Sequence, residues 1–173
     1  SNFIYDYVKF DDTSYLASNV DLIENLANIK SKFNVFNHLI SYGYLEQREL
    51  DNFDEWQYLA SNGDLINTFG SDATAATQHY VSNGYAEGRS KDSFDEWGYI
   101  ASNIDILLVI GANTSEAVKH YISYGMTEGR GTDGFNAESY LNINSDVKSA
   151  FGNDHDLAKK HFVEYGFAEG RGF

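Results

Sequence analysis

The sequence predicts an all-α protein: a tandem array of four units of about 41 residues, each made of three short helices. Three observations lead there. The same residue columns recur four times at nearly constant spacing, as helical repeats require. Each column falls where a helix cap, staple or stop belongs. No stretch alternates apolar and polar residues as a strand would.

The register is set by Phe10, Phe53, Phe94 and Phe135, spaced 43, 41 and 41 residues apart. They divide the chain into a lead segment at 1–9 and units at 10–52, 53–93, 94–134 and 135–173. The first helix of each unit begins after Asp11, Asp54, Asp95 or Asn136, whose side chains suit an N-cap because they accept from unpaired backbone N–H groups. The Phe before the cap and the Tyr four after it (Tyr15, Tyr58, Tyr99, Tyr140) form a hydrophobic staple. This helix should end near Asn19, Asn62, Asn103 and Asn144.

Asp21, Asp64, Asp105 and Asp146 are then expected to cap a second helix of barely two turns. Its apolar pairs are Leu22 with Leu26, Leu65 with Phe69, Ile106 with Ile110, and Val147 with Phe151. Gly70, Gly111 and Gly152 should stop it. The first unit has Ala27 there and two extra residues before the next cap. Ser31, Asp72, Asn113 and Asp154 should cap the third helix. It contains His38, His79, His120 and His161 and is expected to end at Gly43, Gly84, Gly125 and Gly166 as left-handed C′ residues. The apolar contacts of a Schellman ending would join Leu39 to Tyr44, Tyr80 to Tyr85, Tyr121 to Met126 and Phe162 to Phe167. Arg48, Arg89, Arg130 and Arg171 follow each glycine by five residues.

Composition narrows the function classes. With 26 Asp and Glu against 12 Lys and Arg, the net charge is −14. Such a surface repels phosphate backbones and anionic lipid heads, which sets nucleic acid and membrane surfaces aside as partners. The absence of cysteine excludes disulfides and thiolate metal sites. No apolar run approaches a membrane span, and no secretory leader is visible. Ser1-Asn2 reads as a cleavage scar, so the sequence reads as a fragment of a longer protein.

The pattern Phe-Asp-x-x-x-Tyr-Leu-x-x-Asn-x-Asp-Leu, then His-Tyr-x-x-x-Gly-x-x-Glu-Gly-Arg, resembles a bacterial tandem repeat. That repeat is found in large secreted proteins, including hemolysin-type calcium-binding and adhesin-like ones, and beside some glycosyltransferase domains. Phe53 to Arg89 and Phe94 to Arg130 match it best. The family commonly has Asn-Pro-Asp, where this chain has Val20, Gly63, Ile104 or Ser145 in the middle. Gln47 stands where the other units have Gly88, Gly129 and Gly170. The resemblance implies an accessory or surface-exposed module, extracellular or on the cell surface.

Every arginine in the chain lies in the repeat column. A position that takes only Arg implies a planar fork held by a carboxylate or by helix-end carbonyls. The Asp column is the expected partner, with each internal Arg largely buried. Glu46, Glu87, Glu128 and Glu169 lie too near in sequence to need so fixed a geometry. A fourfold anion or sugar-acid site is the functional alternative. The repeat histidines are expected to be hydrogen-bonded and structural rather than metal ligands, and His155 to be a surface residue. Gly152-Asn153-Asp154-His155-Asp156 and Gly70-Ser71-Asp72 offer oxygens, but no Asp-x-Asp-x-Asp-Gly loop with a distal Glu exists, so caps explain these acids without calcium. Gly129 to Gly134 reads as a linker.

Trp56 and Trp97 share a column with Thr13 and Glu138. No core position takes all three residue types, so the column should be at least partly exposed and available to stack on sugar rings. Tyr42, Tyr85, Tyr124 and Tyr165 are further aromatics expected on the surface. No combination of nucleophile, base and orienting group occurs once only, as an active site would, and no cofactor is implied. The sequence thus points to a non-catalytic helical module acting as a protein-interaction or structural spacer. A glycan-binding module is the alternative, and an enzyme using non-repeated residues a distant third. The partner is a protein or a polysaccharide.

Overall fold

The structure, a computed structural model, describes residues 7–26 and 31–173. Among the described residues every regular element is helical, so the chain is all-α. The connection containing Ala27 lies outside the described residues.

The first helices run Asp12–Ser18, Glu55–Ser61, Glu96–Ser102 and Ala137–Ile143. Their caps act through the side chain: Asp11 accepts from the Thr13 and Ser14 N–H groups, Asp54 from Gln57, Asp95 from Gly98 and Asn136 from Ser139. The Phe and Tyr rings of the four staples lie 5.4 to 5.7 Å apart. Tyr15, Tyr58, Tyr99 and Tyr140 are 0% exposed and form the centre of each segment. Burying a ring of this size contributes roughly 2 kcal/mol.

The second helices are Gly63–Phe69, Ile104–Ile110 and Ser145–Phe151. In the first segment a 3-10 turn, Val20–Leu22, leads into Ile23–Leu26. Gly70, Gly111 and Gly152 stop the three full helices with φ between +59° and +65°. The Asp column does not cap these helices. The Asn column occupies the N-cap position and makes no side-chain cap bond there. Each Asp instead sits in the first turn, its carboxylate left for another partner.

The third helices are Lys32–His38, Ala73–His79, Thr114–His120 and His155–His161. Asp72, Asn113 and Asp154 cap their helices through the side chain. Ser31 makes no such bond. The chain does not stop at the next glycine column either. It passes through one π-helical turn, Leu39–Gly43, Tyr80–Gly84, Tyr121–Gly125 or Phe162–Gly166. The N–H groups of Tyr44, Tyr85, Met126 and Phe167 bond to carbonyls five residues back at 2.9 to 3.1 Å.

The expected role of Gly43, Gly84, Gly125 and Gly166 is therefore corrected: none has a positive φ. They are glycine because a Cβ there would run into the hydroxyl of Tyr15, Tyr58, Tyr99 or Tyr140. The left-handed residue comes four positions later, at Gly88, Gly129 and Gly170 with φ +67° to +69°, and at Gln47 with φ +55°. There the Schellman bonds close, with Arg89 N–H to the Gly84 carbonyl at 3.0 Å and Gly88 N–H to Tyr85 at 3.1 Å. The other three segments repeat both bonds. This places the arginine at C″, its backbone fixed just beyond the helix end.

Two compact units result, Ser1–Asp92 and Ser93–Phe173. Inside the first, Asp12–Ser18 packs against Ala73–His79 and the π turn that follows it. Inside the second, Glu96–Ser102 packs in the same way against His155–His161 and its π turn. Tyr7 covers Phe36 at one end of the first unit, with ring centroids 5.2 Å apart. Phe173 packs on Phe135 and Phe162 in the second, at 5.3 and 4.8 Å.

Candidate functional site

The repeated polar residues gather into one cluster per segment, at the point where the third helix's tail returns to the first two helices. The guanidinium of each Arg reaches back to the Asp of the second helix at 2.8 to 2.9 Å: Arg48 to Asp21, Arg89 to Asp64, Arg130 to Asp105 and Arg171 to Asp146. Both terminal nitrogens of Arg48 and of Arg130 engage the carboxylate. Arg171, although two residues from the end of the sequence, makes the same contact.

The Glu column, set aside on sequence grounds, is a partner as well. The Nε–H of Arg48, Arg89 and Arg130 donates to Glu46, Glu87 and Glu128 at 2.5 Å, and that of Arg171 to Glu169. Two residues suffice here because the Schellman turn folds the Glu beside the guanidinium edge. The arginine side chains are 21–25% exposed and the aspartates 60–65%, so these are clasps at the surface rather than buried charges. The hydrogen bond from its Arg holds each Asp carboxyl below the usual carboxylate range. The two carboxylates together push each guanidinium the other way. With one cation and two anions, the cluster carries a net negative charge and its fork is already occupied, which argues against an anion site.

The Asn column completes the clasp. Its amide donates to the Tyr carbonyl four residues back, at 2.7 to 2.8 Å. The same amide donates at 2.8 to 3.0 Å to the carbonyl just after each arginine, on Glu49, Ser90, Gly131 and Gly172. Sequence reasoning used this Asn only as a helix end. Its presence in all four copies, where any polar residue would end a helix, was the available signal.

Each repeat His is half-buried, and its Nδ1 hydrogen-bonds the buried Tyr hydroxyl of its own segment. The distances are 3.2 Å for His38 with Tyr15, 2.9 Å for His79 with Tyr58, and 2.8 Å for His120 with Tyr99 and His161 with Tyr140. Burial pushes the Tyr58 and Tyr99 hydroxyls up to about 12 and raises Tyr15 and Tyr140 in the same direction. Among the described residues no group of three or more His, Cys, Asp or Glu could hold a metal ion. No helix among them is long and apolar enough to cross a membrane. His155 is the exposed first residue of its helix.

Trp56 and Trp97 are half-buried, so their column is partly exposed, as a position that also takes Thr13 and Glu138 requires, and Tyr85 is half-buried as well. Trp97 lies where two segments pack, with the Lys160 ammonium 5.5 Å from its ring centre. Tyr42, Tyr124 and Tyr165 are exposed, at 56–60%, and Tyr44, Phe33 and Phe173 are exposed as well. The first three share one column, a helical turn beyond His38, His120 and His161, and lie 5.6 to 5.8 Å from those imidazoles. In the second segment the position holds Asn83. No protein-family model, curated protein or solved structure matches the chain.

Proposed function

We propose that this chain is a non-catalytic helical module acting as a protein-interaction or structural spacer in a secreted or cell-surface bacterial protein. The observation that carries this reading is the fate of the repeated side chains. His, Tyr, Asn, Asp, Glu and Arg, the residues from which a catalytic site could be built, are bonded to one another inside each segment, four times over. Groups with that role close a fold and leave no nucleophile or base directed at a substrate. The acidic surface keeps such a module soluble. The resemblance to a bacterial repeat supports the location.

One observation favours a second reading, glycan binding: Tyr42, Tyr124 and Tyr165 present exposed rings in a single column. Weak equivalent sites gain by avidity when a polymer spans them. Affinity electrophoresis of the chain through bacterial and algal polysaccharides separates the two. The spacer reading expects no retardation in any gel. Retardation that disappears in a folded Tyr42→Ser, Tyr124→Ser, Tyr165→Ser variant would replace it with the glycan reading.

A further inference from the structure

We infer that Asn62 is a site of spontaneous covalent modification, where the side-chain amide is lost as ammonia once the clasp of the second segment opens. The chain holds two Asn-Gly pairs, Asn62-Gly63 and Asn83-Gly84, both in that segment. Such a pair is the least hindered place for this reaction, because glycine has no Cβ to obstruct its own nitrogen as it approaches the Asn side chain. In the other three segments the clasp Asn is followed by Val20, Ile104 or Ser145.

The structure separates the two pairs. Asn83 is exposed, but it lies with Gly84 inside the π turn Tyr80–Gly84. Gly84 is buried against the Tyr58 hydroxyl, so that peptide does not turn toward the Asn83 side chain without disrupting the core. Asn62 lies between the first and second helices on non-helical backbone, with φ −133° and ψ 80°. The amide of Gly63, the first residue of the second helix, has no carbonyl of its own helix to bond. What restrains Asn62 is the clasp. Its Nδ2 donates to the Tyr58 carbonyl at 2.7 Å and to the Ser90 carbonyl at 2.9 Å. Ser90 is held in place by its neighbour Arg89, which grips Asp64 and Glu87 at the surface.

When the tail carrying Arg89 and Ser90 swings away, the Asn62 side chain is free to rotate. The Gly63 nitrogen, its proton taken by hydroxide, attacks Cγ of Asn62 and forms a succinimide ring. The bond from Cγ to Nδ2 breaks, and Nδ2 leaves as ammonia with a proton from water. A second water then opens the ring, its hydroxyl going to one ring carbonyl and its proton to the ring nitrogen. Opening at Cγ gives aspartate, and opening at the backbone carbonyl gives isoaspartate. The new carboxylate has no N–H to offer the Tyr58 and Ser90 carbonyls, and it lies beside Asp64 in sequence and close to the clasp's other acid, Glu87. The clasp therefore does not close again over the product. Conversion is one-way and confined to the second segment.

The test holds the whole chain in warm, mildly alkaline buffer and follows amide-to-acid conversion at each Asn by fragment-ion mass spectrometry. Conversion is expected at Asn62 ahead of Asn83. Arg89→Ala should speed it at Asn62 by about fivefold, the population change that loss of an ion pair of this exposure produces. Arg48→Ala, the same change in the first segment, should leave the Asn62 rate unaltered. Gly63→Val, which brings in the residue type of Val20, should stop it. Conversion at Asn83 as fast as at Asn62, a rate at Asn62 unmoved by Arg89→Ala or raised equally by Arg48→Ala, or conversion that persists in Gly63→Val would overturn the assignment. Should Arg89→Ala fail to fold, the comparison of Asn62 with Asn83 and the Gly63→Val variant still decide.

Discussion

The two units are assembled from the same parts but closed differently at their internal joints. In the second, Trp97, Lys159 and Lys160 fill the space between Glu96–Ser102 and His155–His161 with an indole and two cations. Burial pulls the Lys159 ammonium down, but its bonds to Asp95 and Asp156 outweigh that and leave it above the ordinary lysine value. In the first unit, Thr13, Thr77 and Gln78 leave a groove at the matching place. Within the segments, by contrast, the Tyr–His, Asn and Arg clasps recur with nearly the same distances. The difference teaches that the repeated columns fold each segment, while the variable columns set how one segment meets the next.

If the segments are alike, both units should respond equally to insults at the repeated core. The largest is alkaline pH. Below pH 10.0, the ordinary tyrosine value, folded and unfolded chains both keep the phenol proton and stability is flat in this respect. As pH rises toward about 12, the unfolded chain releases protons that folded Tyr58 and Tyr99 retain, so stability falls. Unfolding monitored by circular dichroism should show this loss for helices of both units together. Gly84→Ala and Gly125→Ala come next. Each forces a Cβ into a Tyr hydroxyl and breaks its bond to His, which should cost about 3 kcal/mol in urea melts, nearly the same in either unit. A cost below about 1 kcal/mol would show that the close approach is incidental.

The joints should respond unequally. Trp97→Thr with Lys160→Gln brings two of the first unit's three differing joint residues into the second and should cost about 2 kcal/mol through lost ring burial and cation–π contact. Thermal melts showing no loss would mean that the joint contributes little. Arg89→Ala should cost about 1 kcal/mol, the scale of a partly exposed ion pair rather than of a buried one. Arg89→Lys should recover less than half of it, because an ammonium cannot serve Asp64 and Glu87 in one plane. The smallest change is a gain: Gln47→Gly should stabilise the first unit by about 0.5–1 kcal/mol by relieving a left-handed side-chain residue.

The helices, the caps of the first helices and the staples were legible in the sequence because each depends on contacts within a few residues. The Asp partner of Arg was legible too, since only two columns were wholly acidic. The reading failed where two causes give the same residue. A glycine before a turn signals a left-handed backbone, yet Gly84 is glycine because Tyr58 approaches from another helix, and that contact has no local trace. Glu87 was discounted for its proximity to Arg89, which holds for a regular helix and not for a Schellman turn. Trp97 varied like a surface residue because it belongs to a joint, whose partner, Lys160, varies with it.

Native-state hydrogen exchange, comparing amides of Ala73–His79 with those of His155–His161, tests the central claim most directly. Both helices carry the same internal clasps, and they differ in what fills the joint beside them. Slower exchange is expected in His155–His161, whose joint is filled by Trp97, Lys159 and Lys160. Equal protection in the two helices, or greater protection in Ala73–His79, would contradict this.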